Sequence, residues 1–353
     1  MLRKVLGKVV QGQDLDAEVI TEAFGFIMEG QATGAQIGAF LTALRMKGES
    51  EEEIAGAVMA LRDRCVRLPD LGDAASNKFP NNLSNNLIDT CGTGGDGAGT
   101  VNVSTLAALV AAGAEVRVAK HGNRSVSSLC GSADLLKELG VRIDVSPEVA
   151  ALCLREAGFA FLFAPLYHPA MKSVAPARQE MGIRTLFNLI GPLCNPAGVR
   201  RQVMGVYSEE LVGLIAGVLG KLECERAMVV ASRDGLDEIS VCAPTTIAHL
   251  YQDGKIEINT LDPDDLGIKR HKLDSLKGGK PEHNAAISMD LLKGSHGAVR
   301  DAVIVNAGAA LVVSGKAADF IEGIAMARVS IDSGKALEVL EKVKILSNAG
   351  DSP

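Results

Sequence analysis

Aromatic residues are scarce: Phe, Tyr and Trp together make up 3% of the 353 residues, and Trp is absent. Platforms that stack unpaired bases need aromatic faces, and duplex binding needs a basic field. The chain has Lys+Arg 36 against Asp+Glu 43 and a net charge of -7, so no nucleic-acid partner is expected. Its apolar runs fall short of the ~20 residues that a membrane span requires, so no membrane partner is expected either. The start, MLRKVLGKVVQGQD, turns polar too early for a secretory signal. These features point to a soluble, cytoplasmic protein. Paired cysteines are missing too: Cys65, Cys91, Cys130, Cys153, Cys194, Cys224 and Cys242 form no C-x-x-C. An odd, scattered set predicts reduced and mostly buried thiols, with neither a disulfide framework nor a zinc site.

Apolar residues and glycine are plentiful, at 47% hydrophobic with 38 Gly. The length suits two domains. Residues 1–70 read as three or four short amphipathic helices. Val19, Ala23, Phe26 and Ile27 fall on one face, and Gly30 breaks the run. Thr33 with Gln36 and Ser50 with Glu53 have capping-box spacing ahead of the next two helices, the first of which stops at Gly48. Residues 71–86 are rich in Asn and Ser and read as a loop. From residue 87 to 353, short apolar runs (LIDT, VRVA, FAFLFA, VMGVY, AMVVAS) alternate with helical stretches. That pattern predicts an α/β domain with a mainly parallel central sheet flanked by helices. Asp253-Gly254 between alternating runs predicts a hairpin, and AVIVNAGAALVV near the end reads as a return to α/β.

The chemistry concentrates in loops after strands. Between Asp89 and Thr100 the chain reads DTCGTGGDGAGT, with five glycines from Gly92 to Gly99. Glycine permits positive φ and lets backbone N–H groups approach a ligand. A helix starting near Val101 would add its unpaired N–H groups and positive end, completing an anion cradle suited to phosphate. Gly92, Gly94 and Gly97 also fit the dinucleotide G-x-G-x-x-G fingerprint, which wants an acidic residue ~20 positions on, at the end of the next strand. Here that strand ends in Lys120-His121, so a nicotinamide cofactor is rejected. The second loop, from Lys120 to Ser128, carries two cations, an imidazole, an amide and three hydroxyls, and would line the same crevice. Asn102, Ser104 and Thr105 open the helix; they suit capping and phosphate or Mg²⁺ binding alike. Asp237 and Glu238 follow a strand and suit a hard cation once a phosphate lies opposite. Arg178 and Arg184 lie in or beside apolar helices, where each either snorkels to the surface or forms a carboxylate clamp.

In order along the chain, GTGGDGAGTVNVST, KHGNRSVSS, GSAD, HPAM…ARQEMGIRT, FNLIGPLCNP, DGLDE and NAGAAL resemble the anthranilate phosphoribosyltransferase family. These enzymes belong to a glycosyltransferase group that also holds the pyrimidine nucleoside phosphorylases. The resemblance spans nearly the whole chain, and the helical start through GAFLTALRMKGES shares it. It implies transfer of a phosphoribosyl group from 5-phosphoribosyl 1-diphosphate to the amine of anthranilate, in tryptophan biosynthesis. By position it implies that Gly92, Gly95, Asp96, Thr100, Asn102, Val103, Ser104 and Thr105 hold the phosphoribosyl diphosphate. Lys120, His121, Gly122, Asn123, Arg124, Ser125, Val126, Ser127, Ser128 and Ser132 complete that site. Anthranilate would meet Gly92, Asn123 and Arg178, with His121, His168 and Pro192 nearby. Two Mg²⁺ ions would be served by Ser104, Asp237 and Glu238. No acid–base residue is implied; Lys120 and Mg²⁺ would stabilise charge. Family members are homodimers joined through the helical domain, which takes in a later segment of about 168–189. A nucleoside phosphorylase of the same fold, or a non-catalytic nucleic-acid-binding relative, would be the alternative.

Overall fold

A computed structural model describes residues 1–69, 87–125 and 128–349. The expected loop 71–86, with Val126 and Ser127, lies outside the described residues. Four helices open the chain: α1 (Leu2–Val10), α2 (Ala17–Met28), α3 (Gly34–Lys47) and α4 (Glu51–Arg62). Both expected capping boxes are present, Thr33 with Gln36 on α3 and Ser50 with Glu53 on α4. The inner face of α2 is centred on Ile20, Ala23, Phe24 and Ile27. Val19 and Phe26 only flank it, half-buried, because helical packing selects the stripe at i, i+3, i+4 and i+7.

The α/β domain begins with β1 (Ile88–Gly92), α5 (Val103–Gly113), β2 (Val118–Gly122), α6 (Ser132–Glu138), α7 (Pro147–Ala157) and β3 (Phe159–Phe163). Short helices α8 (Ala164–Tyr167), α9 (Ala175–Met181) and α10 (Leu186–Ile190) follow. Then come β4 (Arg201–Gly205), α11 (Glu210–Lys221), β5 (Arg226–Ser232) and the hairpin of β6 (Thr245–Leu250) and β7 (Ile256–Leu261). The strand order is β3-β2-β1-β4-β5-β6-β7; the first five strands are parallel and the last two antiparallel. Successive residues of β5 bury on opposite faces, Met228 and Val230 in one cluster, Ala227, Val229 and Ala231 in another. Both faces are therefore covered, as a parallel sheet requires. The second cluster runs without a break into Phe24, Phe40 and Leu41 of the helical bundle, and Val174, Ala177, Leu186 and Phe187 join it.

One expectation fails. Residues 302–313, AVIVNAGAALVV, contribute no strand but lie within α13 (Ala298–Ser314), and the described tail is helical throughout, with α12 (Pro281–Leu292), α14 (Phe320–Asp332) and α15 (Lys335–Ala349). A helix buried on nearly every side reads as one continuous apolar run, so periodicity carries no signal there. Among the described residues no helix is long and apolar enough to cross a membrane.

The chain builds β1, then β2 and β3 to one side, then returns to place β4 on the other side of β1. The order therefore reverses at β1, and ligands of open α/β sheets bind outside the carboxyl ends at such a reversal. The glycine loop leaves β1 at that point.

Candidate active site

Gly94, Gly95, Gly97 and Gly99 all have φ between 63° and 78°, the left-handed region that a Cβ disfavours. The loop they form is pinned at both ends. Thr93 donates its N–H to the Gly205 carbonyl at 2.9 Å, and Val101 donates to Leu276 at 2.9 Å. Between these ties, the N–H groups of Gly95, Asp96 and Gly99 have no acceptor among the described residues. They are the donors that the expected anion cradle would offer.

The helix end behaves differently from the expectation. The Ser104 N–H in the first turn of α5 is given to Glu238 Oε1 at 3.0 Å, and the Val103 N–H goes to the Val101 carbonyl at 2.8 Å. The positive end of α5 thus stabilises a protein carboxylate first. Asp237 accepts the Gly94 N–H at 2.7 Å. The loop after β5 is in this way tied to the glycine loop and to α5 by two adjacent carboxylates. A Cβ on Gly92 would collide with the Asp237 carboxylate, and one on Gly205 would overlap the Asp237 carbonyl oxygen. Gly205→Ala is accordingly expected to cost at least about 2 kcal/mol and, by displacing Asp237, roughly tenfold in turnover. Thermal melting with a Mg²⁺ titration checks it; an unshifted melt would refute the close contact.

Burial, and then mutual repulsion with Asp96, pushes Asp237 up to about 6. Burial and the adjacent Asp237 push Glu238 well above the usual carboxylate range. Neither forms an ion pair among the described residues. Two desolvated carboxylates without a cation fit a hard divalent ion. No cluster of three His, Cys, Asp or Glu suited to a metal occurs among the described residues, so substrate oxygens and water would complete the coordination.

Lys120, at the carboxyl end of β2, is 1% exposed. Its ammonium donates to the Thr90 carbonyl and reaches the Ser104 hydroxyl at 3.4 Å. Burial lowers its pKa, and Asp89 is the largest opposing influence. Asn102 does not cap α5. Its amide donates to the Cys130 carbonyl at 2.9 Å and accepts from Asn284 at 3.0 Å, so the capping reading of that residue does not hold. Thr105 donates to the Ser132 hydroxyl at 3.0 Å, joining the two polar loops. Thr100 forms an isolated bridge with Lys277, and Val103 is a buried core residue. In the second loop Ser125 and Ser128 share a hydrogen bond at 2.6 Å, and Asn123 and Arg124 are exposed. The Arg124 guanidinium lies 5.9 Å from the Phe163 ring centre. A Cβ on Gly122 would press into the Phe161 ring.

His121 and His168 meet edge to face with ring centres 5.0 Å apart. Both are buried, and burial depresses them to about 3 and about 4. A buried imidazole of depressed pKa binds fewer protons folded than unfolded, so its contribution to stability is lost as pH falls from about 6.5 towards 4. The raised carboxyl of Asp237 acts in the opposite sense, adding stability as pH falls from about 6 towards 4. His168→Gln is therefore expected to remove about 1–2 kcal/mol of the acid destabilisation between pH 6.5 and 5. Chemical denaturation of both proteins at the two pH values measures it, and equal slopes would contradict it.

Pro192 presents its carbonyl to the Gln202 amide at 2.8 Å, beside the buried Cys91 thiol. Arg178, on α9, is half-buried with its guanidinium 5.3 Å from the centre of the Phe187 ring. It makes no ion pair among the described residues, and no hydrogen bond links it to the glycine loop or to Asn123. Arg184 does reach that loop, by donating to the Gly95 carbonyl. Asp89 and Asn195 support the site in roles the sequence does not assign them: Asp89, fully buried, accepts from the His121 N–H at 3.3 Å and from the Asn195 amide at 2.8 Å. A carboxylate inside the apolar run LIDT was the available signal. The described cysteines are all free, and four of them are buried.

The chain matches the glycosyl transferase family, helical bundle domain, over residues 3–65, and the glycosyl transferase family, a/b domain, over residues 84–337. It is 50% identical over 351 residues to the anthranilate phosphoribosyltransferase of Thermomicrobium roseum, covering 99% of this chain and 98% of that protein. The crystal structure of anthranilate phosphoribosyltransferase from Thermus thermophilus superposes with a TM-score of 0.88 at 41% identity, over 97% of this chain and 99% of that one. The enzyme of the same name from Saccharomyces cerevisiae, in complex with PRPP and Mg, superposes with a TM-score of 0.86 at 29% identity, over 99% and 98%.

Proposed function

The chain belongs to the glycosyl transferase family whose helical-bundle and a/b domains it carries, and from that membership we propose its reaction. It transfers the phosphoribosyl group of 5-phosphoribosyl 1-diphosphate (PRPP) to the amino group of anthranilate, giving N-(5-phosphoribosyl)anthranilate and diphosphate. The observation that carries this reading is the meeting of three groups at the sheet's reversal point. Free N–H groups of the glycine loop, the buried Lys120 and the Asp237–Glu238 pair all lie at the carboxyl ends of β1, β2 and β5. That is a site for a polyanion carrying a divalent ion. The full-length relatives named for this transferase favour it over a nucleoside phosphorylase or a nucleic-acid-binding protein.

The C1–O bond to diphosphate breaks, its electron pair leaves on the diphosphate, and positive charge develops on the ribose. The anthranilate nitrogen then bonds to C1 and releases its extra proton to water or to the departing diphosphate. Mg²⁺, when bound, supplies charge neutralisation for the departing diphosphate. Lys120 and the loop N–H groups hold the same charge through preorganised dipoles. An aromatic amine is neutral at pH 7, so orientation replaces general-base catalysis. Arg178, a guanidinium without a carboxylate partner among the described residues, would clamp the anthranilate carboxylate, with His121, His168, Asn123 and Pro192 around the ring.

The reading extends to two Mg²⁺ ions on Ser104, Asp237 and Glu238, and to Val126 and Ser127 as part of the second loop. It places the enzyme in the cytoplasm, with neither nucleic acid nor membrane as partner. It divides the chain into a helical domain of residues 1–70 supplemented by about 168–189, and a PRPP-binding domain of residues 87–353. It pairs two copies through the helical domain, where Val10 and Met46 stand exposed. Light scattering in solution tests the pairing. The decisive assay follows the loss of anthranilate fluorescence with PRPP and Mg²⁺. Turnover is expected there and not with thymidine and phosphate; the reverse would overturn the assignment.

A further inference from the structure

The sequence leaves two arginines with interchangeable prospects, and their surroundings separate them. Arg178 is half-buried against Phe187, whose ring lies 5.3 Å from that of Phe24 in the apolar cluster of the helical bundle. Arg184 is exposed, between the left-handed Gly182 that ends α9 and the start of α10. Its guanidinium sits 4.4 Å from the centre of the Tyr207 ring, two residues beyond the carboxyl end of β4, and donates to the carbonyl of Gly95.

We propose that Arg184 is a further substrate-binding residue, its guanidinium pairing with the diphosphate of PRPP at the glycine loop. The proposal rests on the phosphoribosyl-transfer reading above. Gly95 has φ of 78°, and a Cβ there would come 3.0 Å from Arg184 Nη2; glycine gives the guanidinium room at this carbonyl that a side chain would narrow. A guanidinium has five donors in a planar fork. A neutral carbonyl takes one of them; Asp96 lies near enough for the guanidinium to favour its charged form, but no carboxylate among the described residues forms an ion pair with Arg184 to take the others. Contact with the Tyr207 ring restrains the guanidinium and lowers the entropy lost when a second acceptor arrives. The charge balance points the same way. Asp96, Asp237 and Glu238 share the site with one buried lysine, and a polyanion entering among three carboxylates needs further cations. Arg184 supplies one at the free N–H groups of the same loop.

The test uses the full-length protein and three variants, Arg184→Met, Arg184→Lys and Tyr207→Leu. Two readouts are taken: steady-state KM for each substrate, and calorimetric affinity for inorganic diphosphate with Mg²⁺ present. Arg184→Met is expected to raise the KM for PRPP and the diphosphate Kd about tenfold or more, with the anthranilate KM within twofold. Arg184→Lys should fall between, because charge survives while the fork is lost. Tyr207→Leu, which keeps the charge and removes the platform, should weaken diphosphate binding by a few-fold. Equal losses for both substrates in Arg184→Met would mark a structural latch and overturn the proposal, as would diphosphate affinity within twofold of the parent. A parent protein that binds diphosphate but leaves anthranilate untouched would sink the reaction assignment instead, while the diphosphate comparison would still decide the role of Arg184.

Discussion

The double replacement Asp237→Asn with Glu238→Gln is expected to lower turnover by roughly 10³-fold at submillimolar Mg²⁺, with partial recovery as Mg²⁺ is raised. The amides keep the shape and the acceptors that tie Gly94 and Ser104 to this loop, so the fold should survive. What they remove is two desolvated charges. Loss of a preorganised electrostatic partner at a departing anion costs about 10²–10³-fold in other enzymes, and two partners are lost together here. The parent also carries a pH signature. Burial and Asp96 push Asp237 up to about 6, so protons compete with the metal there. Apparent Mg²⁺ affinity in the parent should therefore fall as pH drops below about 6, and the variant should lack that dependence. Kinetics at several Mg²⁺ concentrations and two pH values test both statements. A variant with the parent's Mg²⁺ response would remove the pair from the metal site.

How far the sequence reveals this arrangement depends on how local each feature is. The capping boxes at Thr33 and Ser50, the apolar runs that form the individual strands and the Asp253-Gly254 hairpin rest on neighbours within a few residues, and they stand in the structure as read. The glycine loop is equally legible, because strand, glycines and helix are contiguous. Two kinds of feature are not. A fully buried helix such as α13 has no polar face, so AVIVNAGAALVV shows no period by which to separate it from strand. Pairings across the sheet are invisible as well. Ser104 meets Glu238 across 134 residues, and Gly94 meets Asp237 across 143. Without them, the free donors of α5 look available to a phosphate when one is already given to a carboxylate. Arg184 shows the same limit. Its contact with Tyr207 and its bond to Gly95 follow from where the segment between α9 and α10 lies on the carboxyl end of the sheet. That placement is set by burial of Leu186 and Phe187, not by any pattern around Arg184 itself.

Arg178→Ala separates the two substrates in the opposite sense, and its expected effect is the second largest. The KM for anthranilate should rise about 100-fold, and that for PRPP should change by less than about threefold. A charge-assisted bidentate pair in a partly buried site is worth about 2–3 kcal/mol, which is the factor stated. Burial makes the guanidinium costly to hold without a partner, so the empty site is strained towards an anion and the truncated one is not. The fold has reason to tolerate the change, since the Phe187 ring keeps its contact with Phe24 when the guanidinium above it is gone. Arg178→Lys should recover little, because a point charge cannot reproduce the planar fork. Aniline, which lacks the carboxylate, supplies the control: the parent should use it poorly, and truncation should make no further difference to it. An anthranilate KM that stays put in Arg178→Ala would show that the carboxylate is held elsewhere. An aniline rate that falls in parallel with the anthranilate rate would show that the arginine supports the fold of α9 and not the substrate.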